Sequence, residues 1–175
     1  AVKGLPPLVR NSAEELERIR ENFALVSRLH HPNIAAALVL HPAKEVSYAD
    51  ERARQALRVL PGDTLMVMVY APGVTLSHWR KQFPEGRVPA AKALEVCRQI
   101  ASALDYAHGE RVVHRDIKPS NVMVESRSQK SEDRIQKETL NVQRSTLNAQ
   151  VVVRVLDFGL AAEIRSSMSR VSQEK

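Results

Sequence analysis

Two long segments of the chain carry apolar residues at the spacing of an α-helix. The first opens with Ser-Ala-Glu-Glu at residues 12–15, a capping box whose serine and glutamate side chains satisfy free N–H groups of the first turn. The proline of His-His-Pro at 30–32 ends it, because proline disfavours helical geometry in the residue before it. The pattern predicts a helix with one buried face, formed by Leu16, Ile19, Phe23, Val26 and Leu29.

The second helical segment opens near Pro89 and ends at Gly109, where glycine tolerates the left-handed cap. Cys97 is the only cysteine, so it cannot form a disulfide within the chain. Its place in the apolar pattern predicts a small buried side chain rather than a reactive thiol. The predicted buried face consists of Leu94, Cys97, Ile100, Ala101, Leu104 and Ala107.

Short apolar runs at 34–40, 65–70 and 151–156 predict strands, and the second run suits a buried strand. The polar residues 41–63 between the first two runs predict a surface insertion, with a helical stretch near its centre. Residues 125–150 are rich in Ser, Gln, Lys and Arg, a composition that favours a mobile insertion over a domain. Strands with interposed helices indicate an α+β architecture.

Composition narrows the classes of function. The net charge of +6 could suit nucleic acid, but Lys and Arg are spread along the chain and aromatic residues make up only 4%. Stacking platforms for bases are therefore scarce, and we expect no nucleic-acid partner. The apolar runs are too short to cross a bilayer, so we expect no membrane segment within this chain.

Three polar residues near the predicted strand ends suit phosphoryl transfer. Asp116 and, five positions later, Asn121 lie on a loop after the second helix, and Asp157 follows the last strand. An aspartate can orient an attacking hydroxyl and accept its proton. An amide oxygen and a second carboxylate are ligands that Mg²⁺ accepts, together with phosphate and water.

His-Arg-Asp at 114–116 with Asn121, followed by Asp-Phe-Gly at 157–159, resembles the signature set of protein kinases. The resemblance covers almost the whole chain. It implies an incomplete, two-lobed, protein-kinase-like α+β fold. Residues 1–70 would be a partial N-lobe with the third strand, helix C and strands four and five. Residues 71–175 would hold the hinge and the first part of the C-lobe, with an insertion at about 125–150 and the start of the activation loop.

The resemblance also implies ATP and Mg²⁺ as cofactors and gives residues their roles. Asp116 would be the catalytic base and Lys118 would stabilise the transferring phosphoryl group. Asn121 and Asp157 would hold magnesium. Lys3 would bind the α and β phosphates of the nucleotide, where Asn121 and Asp157 also contact it. Met68 would be the gatekeeper, and Met123 would lie below the adenine. The backbone of Val69 and Ala71 would meet the adenine edge.

A lysine two residues after the catalytic aspartate resembles serine/threonine rather than tyrosine kinases. The implied partners are therefore ATP and a protein carrying Ser or Thr, and the implied location is the cytoplasm, with any membrane anchor outside this segment. Arg115 would bind a phosphorylated activation loop. Four serines lie where that loop begins, and a plain cluster of surface serines is the alternative interpretation: Ser166, Ser167, Ser169 and Ser172.

The pattern departs from the family at helix C, where Asn22 stands in place of the glutamate that pairs with the lysine, although Glu21 is adjacent. The glycine-rich loop and the Ala-Pro-Glu element are also missing from these residues. We therefore expect these residues alone to bind nucleotide weakly and not to phosphorylate protein. Two alternatives to a protein kinase are a pseudokinase or ATP-binding scaffold, and a kinase-like small-molecule phosphotransferase.

Overall fold

Two three-stranded antiparallel sheets organise the protein. The computed structural model describes residues 1–5, 12–57, 59–127 and 150–158. The first sheet has the order β1-β3-β2 and the second β4-β5-β6. Their strands are β1 (Val2–Gly4), β2 (Ala37–Pro42), β3 (Thr64–Met68), β4 (Val74–Thr75), β5 (Val122–Arg127) and β6 (Gln150–Val155).

Helix α1 (Ala13–Val26) confirms the first predicted helix. The Ser12 hydroxyl accepts a hydrogen bond from the backbone N–H of Glu15 at 3.3 Å, as a capping residue does. Ile19 and Val26 are buried, as the spacing predicts, whereas Phe23 is only partly buried. The helix ends at Val26, four residues before His30, and the following turn still buries Leu29 completely.

The predicted insertion at 41–63 leaves the first sheet and returns to it at one point. Ala43 donates to the Asp63 carbonyl at 2.7 Å, and Gly62 donates to the Ala43 carbonyl at 2.7 Å. Between these residues lies α2 (Glu51–Leu57). A cavity of about 730 Å³ opens beside this helix, and its lining includes Tyr48 and Glu51 but none of the residues assigned above to catalysis, nucleotide or metal.

After β4 the chain forms a short helix, α3 (Leu76–Trp79), and then the long helix α4 (Ala90–Gly109), whose bounds agree with the prediction. The predicted buried face of α4 is wrong in part. Leu94 is 73% exposed, and Cys97 and Ala101 are exposed as well. The helix packs on β6, and its buried residues are instead Lys92, Val96, Gln99, Ala103 and Ala107.

Gln99 explains why the buried face of α4 differs from the predicted one. Its side-chain amide donates to the Val151 carbonyl at 2.7 Å, and its amide oxygen accepts from the Val153 N–H at 2.8 Å. A buried glutamine that satisfies strand backbone is not visible in a hydrophobic pattern, because the pattern scores it as polar. Cys97 consequently lies on the opposite side of the helix.

One apolar cluster joins the elements that carry the candidate site. Its members come from α1 and the turn after it, from β2 and β3, from α4 and the loop after it, and from the end of β6 and the residues that follow: Val26, Leu29, Ile34, Ala37, Met66, Ala103, Ala107, Val112, Val155 and Phe158. Ile34 also forms a parallel bridge with Val155, and Ala35 donates to the Val155 carbonyl at 3.0 Å. These contacts fix the end of β6, from which Asp157 follows.

None of the helices within the described ranges combines the length and the apolar character that a bilayer crossing requires.

Candidate active site

His114 holds the loop after α4 against the end of β6. Its side chain is 2% exposed, and its ring packs on Phe158 with centroids 4.6 Å apart. The backbone N–H of Asp116 donates to Nδ1 of His114 at 3.2 Å, so this nitrogen carries no proton. Nε2 therefore carries the proton and donates to the Leu156 carbonyl at 2.8 Å. The neutral ring thus fixes the backbone of Asp116.

The carboxylate of Asp116 is held by two side chains of the same loop. Asn121 Nδ2 donates to Asp116 Oδ2 and to the Asp116 carbonyl, each at 2.9 Å. Lys118 Nζ lies 2.9 Å from the same Oδ2. The predicted residues Asp116, Lys118 and Asn121 are therefore brought together. The arrangement leaves a carboxylate with a fixed orientation and an ammonium group beside it.

Asp157 comes to this loop through the pairing of β5 with β6. Val122 pairs with Val155, and the Leu156 N–H donates to the Asn121 carbonyl at 2.8 Å. Asp157 itself has φ 58°, a left-handed conformation that aspartate tolerates better than most residues. Its Oδ2 lies 2.7 Å from Lys3 Nζ.

The donor set fits a magnesium ion. Asn121 uses its side-chain N–H groups on Asp116, which leaves its amide oxygen outside those bonds. The described residues contain no cluster of three or more His, Cys, Asp or Glu side chains able to hold a metal. Asn121 and Asp157 would thus supply two oxygen ligands, and Mg²⁺ characteristically takes the remainder from phosphate and water.

The segment after β3 presents backbone groups suited to an adenine edge. Met68 packs against the main apolar cluster, and the Val69 N–H donates to the Ala36 carbonyl at 2.9 Å. Within the described residues, the Val69 carbonyl and the Ala71 N–H take part in no hydrogen bond. Met123 lies on β5 opposite Thr75. The contacts of these four predicted residues with a nucleotide stay predictions.

Helix α1 does not supply a partner for Lys3 in this arrangement. Asn22 and Glu21 line a shallow cavity of about 340 Å³ together with Arg18, Leu25 and Arg115. The ammonium group of Lys3 pairs with Asp157 instead. Gly159 and the serines of the predicted activation loop lie outside the described residues.

Sequence reasoning missed a polar clamp that ties the turn after α1 to α4 and β6. Asn33 Nδ2 donates to Gln99 Oε1 and to the Val153 carbonyl, each at 2.8 Å. His31 stacks on Tyr106 with centroids 5.2 Å apart. The His-Pro-Asn sequence at 31–33 was the available signal, because an asparagine just after a helix-ending proline often bonds to backbone.

The buried His114 predicts an acid-sensitive fold. Burial lowers the pKa of His114 below its ordinary value, so the unfolded chain binds its proton more readily. The stabilisation by neutral His114 is complete above the unfolded pKa and is lost as the pH falls through the folded pKa. We expect His114→Phe to be less stable than wild type by about 1–2 kcal/mol near neutral pH, because two hydrogen bonds are lost.

Thermal unfolding followed from pH 8 down to pH 5 checks this expectation. The difference between wild type and His114→Phe should shrink as the pH falls, because only the wild type loses stability by protonating this ring. His108→Phe, which changes an exposed histidine at the end of α4, should leave the pH profile unchanged. A constant difference for His114→Phe over this range would contradict the assignment.

A fixed carboxylate, a neighbouring ammonium group, and an amide and a second carboxylate beside the same loop are typical of phosphoryl-transfer proteins. A statistical profile of the protein kinase domain matches residues 1–174. The chain therefore belongs to the protein kinase family.

Individual relatives agree with this assignment. PknB, a serine/threonine-protein kinase of Mycobacterium tuberculosis, is 32% identical over 138 residues, which cover 79% of this chain and 18% of PknB. PrkC, a serine/threonine-protein kinase of Bacillus subtilis, is 26% identical over 157 residues, which cover 90% of this chain and 18% of PrkC. The chain thus spans less than a fifth of the length of either relative.

The crystal structure of the Mycobacterium tuberculosis PknI kinase domain superimposes with a TM-score of 0.59 at 22% identity. The match covers 92% of this chain and 48% of that domain. This likeness shows the fold, which is a partial kinase-like α+β fold.

Proposed function

We propose that the protein containing this chain is a serine/threonine kinase that transfers the γ-phosphoryl group of ATP to a protein hydroxyl. The observation that carries the proposal is the Asp116 carboxylate, held in one orientation by Asn121 and Lys118. A base that is fixed before the substrate arrives avoids reorganisation during the reaction.

In the proposed reaction each residue of the site has one role. The substrate hydroxyl oxygen attacks the γ-phosphorus, its proton passes to Asp116, and the bond from the γ-phosphorus to the bridging oxygen breaks to release ADP. Lys118 would stabilise charge on the transferring group, and Lys3 would bind the α and β phosphates. Asn121 and Asp157 would hold magnesium, which supplies charge neutralisation on the phosphate oxygens.

We further propose that the two sheets mark the two lobes, with 1–70 in the partial N-lobe and 71–175 in the hinge and C-lobe. The adenine would lie between them, with its edge at the backbone of Val69 and Ala71. Met68 would stand as gatekeeper behind the adenine and Met123 below it. The free hydrogen-bonding groups of the hinge and the partial burial of both methionines support this placement.

Serine and threonine are the proposed acceptors for two reasons. Lys118 lies beside Asp116, two residues after it, and the relatives PknB and PrkC are named serine/threonine-protein kinases. Use of ATP implies the cytoplasm as the site of action. The partners would be ATP and a protein with an accessible Ser or Thr.

Transfer of labelled phosphate from ATP by the protein that contains this chain, followed by phosphoamino-acid analysis, tests the proposal. We expect phosphoserine or phosphothreonine on a protein substrate. Label on tyrosine alone, or only on a small molecule, would refute the proposed acceptor. Nucleotide binding with no transfer would favour the second candidate, a kinase-shaped scaffold, for which Asn22 in place of the helix glutamate is the supporting observation.

A further inference from the structure

Lys3 and Asp157 form an ion pair across 154 positions of sequence. Lys3 Nζ lies 2.7 Å from Asp157 Oδ2, within hydrogen-bond distance. The lysine side chain is 43% exposed and the aspartate side chain 14%. The carboxylate is therefore largely shielded from water, and among the described residues Lys3 is the cation within ion-pair distance of it.

Helix α1 offers no competing carboxylate for Lys3. Asn22, which is neutral, lines the cavity beside Arg115, and Glu21 lines the same cavity. In the part of the chain that the structure describes, Asp157 is the carboxylate within ion-pair distance of Lys3. Asp157 therefore has two partners that cannot both use the same carboxylate freely: Lys3, and the magnesium ion of which it is a proposed ligand.

We infer that Lys3 competes with magnesium for the Asp157 carboxylate, and that Lys3 thereby acts as a positioning residue that couples metal binding to nucleotide binding. This inference rests on the proposed function, because it takes Asp157 as the metal ligand and phosphate as the second partner of Lys3. It requires no group beyond the nucleotide and the metal that the proposed reaction already uses.

The competition follows from charge and distance. A magnesium ion binds carboxylate oxygen at about 2.1 Å, so an ammonium group hydrogen-bonded to the same carboxylate would lie close to the dication. Two cations so placed repel each other, and the repulsion grows as water is excluded. Either the ammonium group leaves the carboxylate or the affinity for metal falls.

Nucleotide phosphates resolve the conflict by giving Lys3 another anion to bind. Once the ammonium group has moved to phosphate, the Asp157 carboxylate is available to the metal. Metal and nucleotide therefore strengthen the binding of each other, because such coupling is reciprocal.

A titration of the nucleotide-free, ¹⁵N-labelled chain with Mg²⁺ alone tests the inference by NMR, which detects binding even at millimolar affinity. The backbone signals of Leu156 and Asp157 and the side-chain amide of Asn121 report the site. We expect Lys3→Met to lower the half-saturating Mg²⁺ concentration about fivefold or more, because a paired ammonium group is removed. Lys81→Met removes an exposed lysine near Phe83 and should leave it unchanged within about twofold.

The other possible outcomes contradict either the competition between Lys3 and magnesium or the proposed metal site. Equal or weaker Mg²⁺ binding in Lys3→Met, no site-specific shifts in that variant, or equal strengthening in Lys81→Met would overturn the competition. Asp157→Asn should remove the shifts in both backgrounds. Persistence of the shifts in Asp157→Asn would instead show that the metal lies elsewhere, which contradicts the proposed metal site itself whatever Lys3→Met does.

Discussion

Asp116→Asn lowers the rate of phosphoryl transfer by about 10²–10⁴-fold, the contribution expected of a positioned general base. The substitution keeps the shape of the side chain and removes the group that accepts the proton. ATP binding should stay within about threefold of wild type, because Asp116 contacts Lys118 and Asn121 rather than the phosphates assigned to Lys3. Single-turnover transfer by the protein that contains this chain, at saturating ATP, measures the loss.

The matched control for this prediction is Asp105→Asn, which alters an exposed aspartate on α4. Its transfer rate should equal that of wild type within about twofold, as expected for a surface change. A transfer rate for Asp116→Asn within tenfold of wild type would exclude Asp116 as the base. The proposed function would then require another proton acceptor.

Gly73→Ala destabilises the fold by about 3 kcal/mol or more, a large fraction of the stability of a domain. Gly73 has φ 99°, a conformation that residues with a side chain rarely adopt. A Cβ at this position would also lie 2.1 Å from the Val124 carbonyl oxygen on β5. That strand leads out of the Asn121 turn, so relief of the clash would shift the loop that carries Asn121 as well.

Gly109→Ala provides the comparison, because a Cβ there would meet no atom within 4 Å. Alanine at this end of α4 should leave the melting temperature unchanged or raise it slightly, since alanine has the higher helix propensity. Thermal or denaturant unfolding of the chain measures both variants. Equal melting temperatures for Gly73→Ala and wild type would contradict the close approach of β5 to this turn.

The regular elements were predictable wherever local pattern and local chemistry agree. Ser12 and the following apolar spacing predicted α1, and Pro89 predicted the start of α4. Helix α4 does end at Gly109, but the left-handed conformation expected of this glycine is adopted instead by Arg111, with φ 61°. The buried face of α4 was not predictable, because Gln99 is buried by its bonds to β6 rather than by its own polarity. A pattern of apolar residues carries no information on which strand backbone will need a side-chain partner.

The contacts of the candidate site were likewise predictable only in part from the sequence. Asp116, Lys118 and Asn121 lie within six residues of sequence, so a loop conformation alone could bring them together. The pairing of Lys3 with Asp157 was not predicted, because their separation of 154 positions is closed by the apolar cluster that joins the first sheet to the end of β6. The expected partner of Lys3 was a residue of α1, but Asn22 of that helix lines the cavity beside Arg115.

A metal–nucleotide complex should bind this chain beside Asn121 and Asp157, and NMR can locate the bound metal. Mn²⁺·ADP broadens NMR signals near the bound metal, and the measurement tolerates weak binding. We expect selective broadening at Asn121, Leu156 and Asp157, with the signals of Tyr48 and Glu51 in the cavity of the 41–63 insertion left sharp. Broadening centred on Tyr48 and Glu51, with Asn121 and Asp157 unaffected, would contradict it.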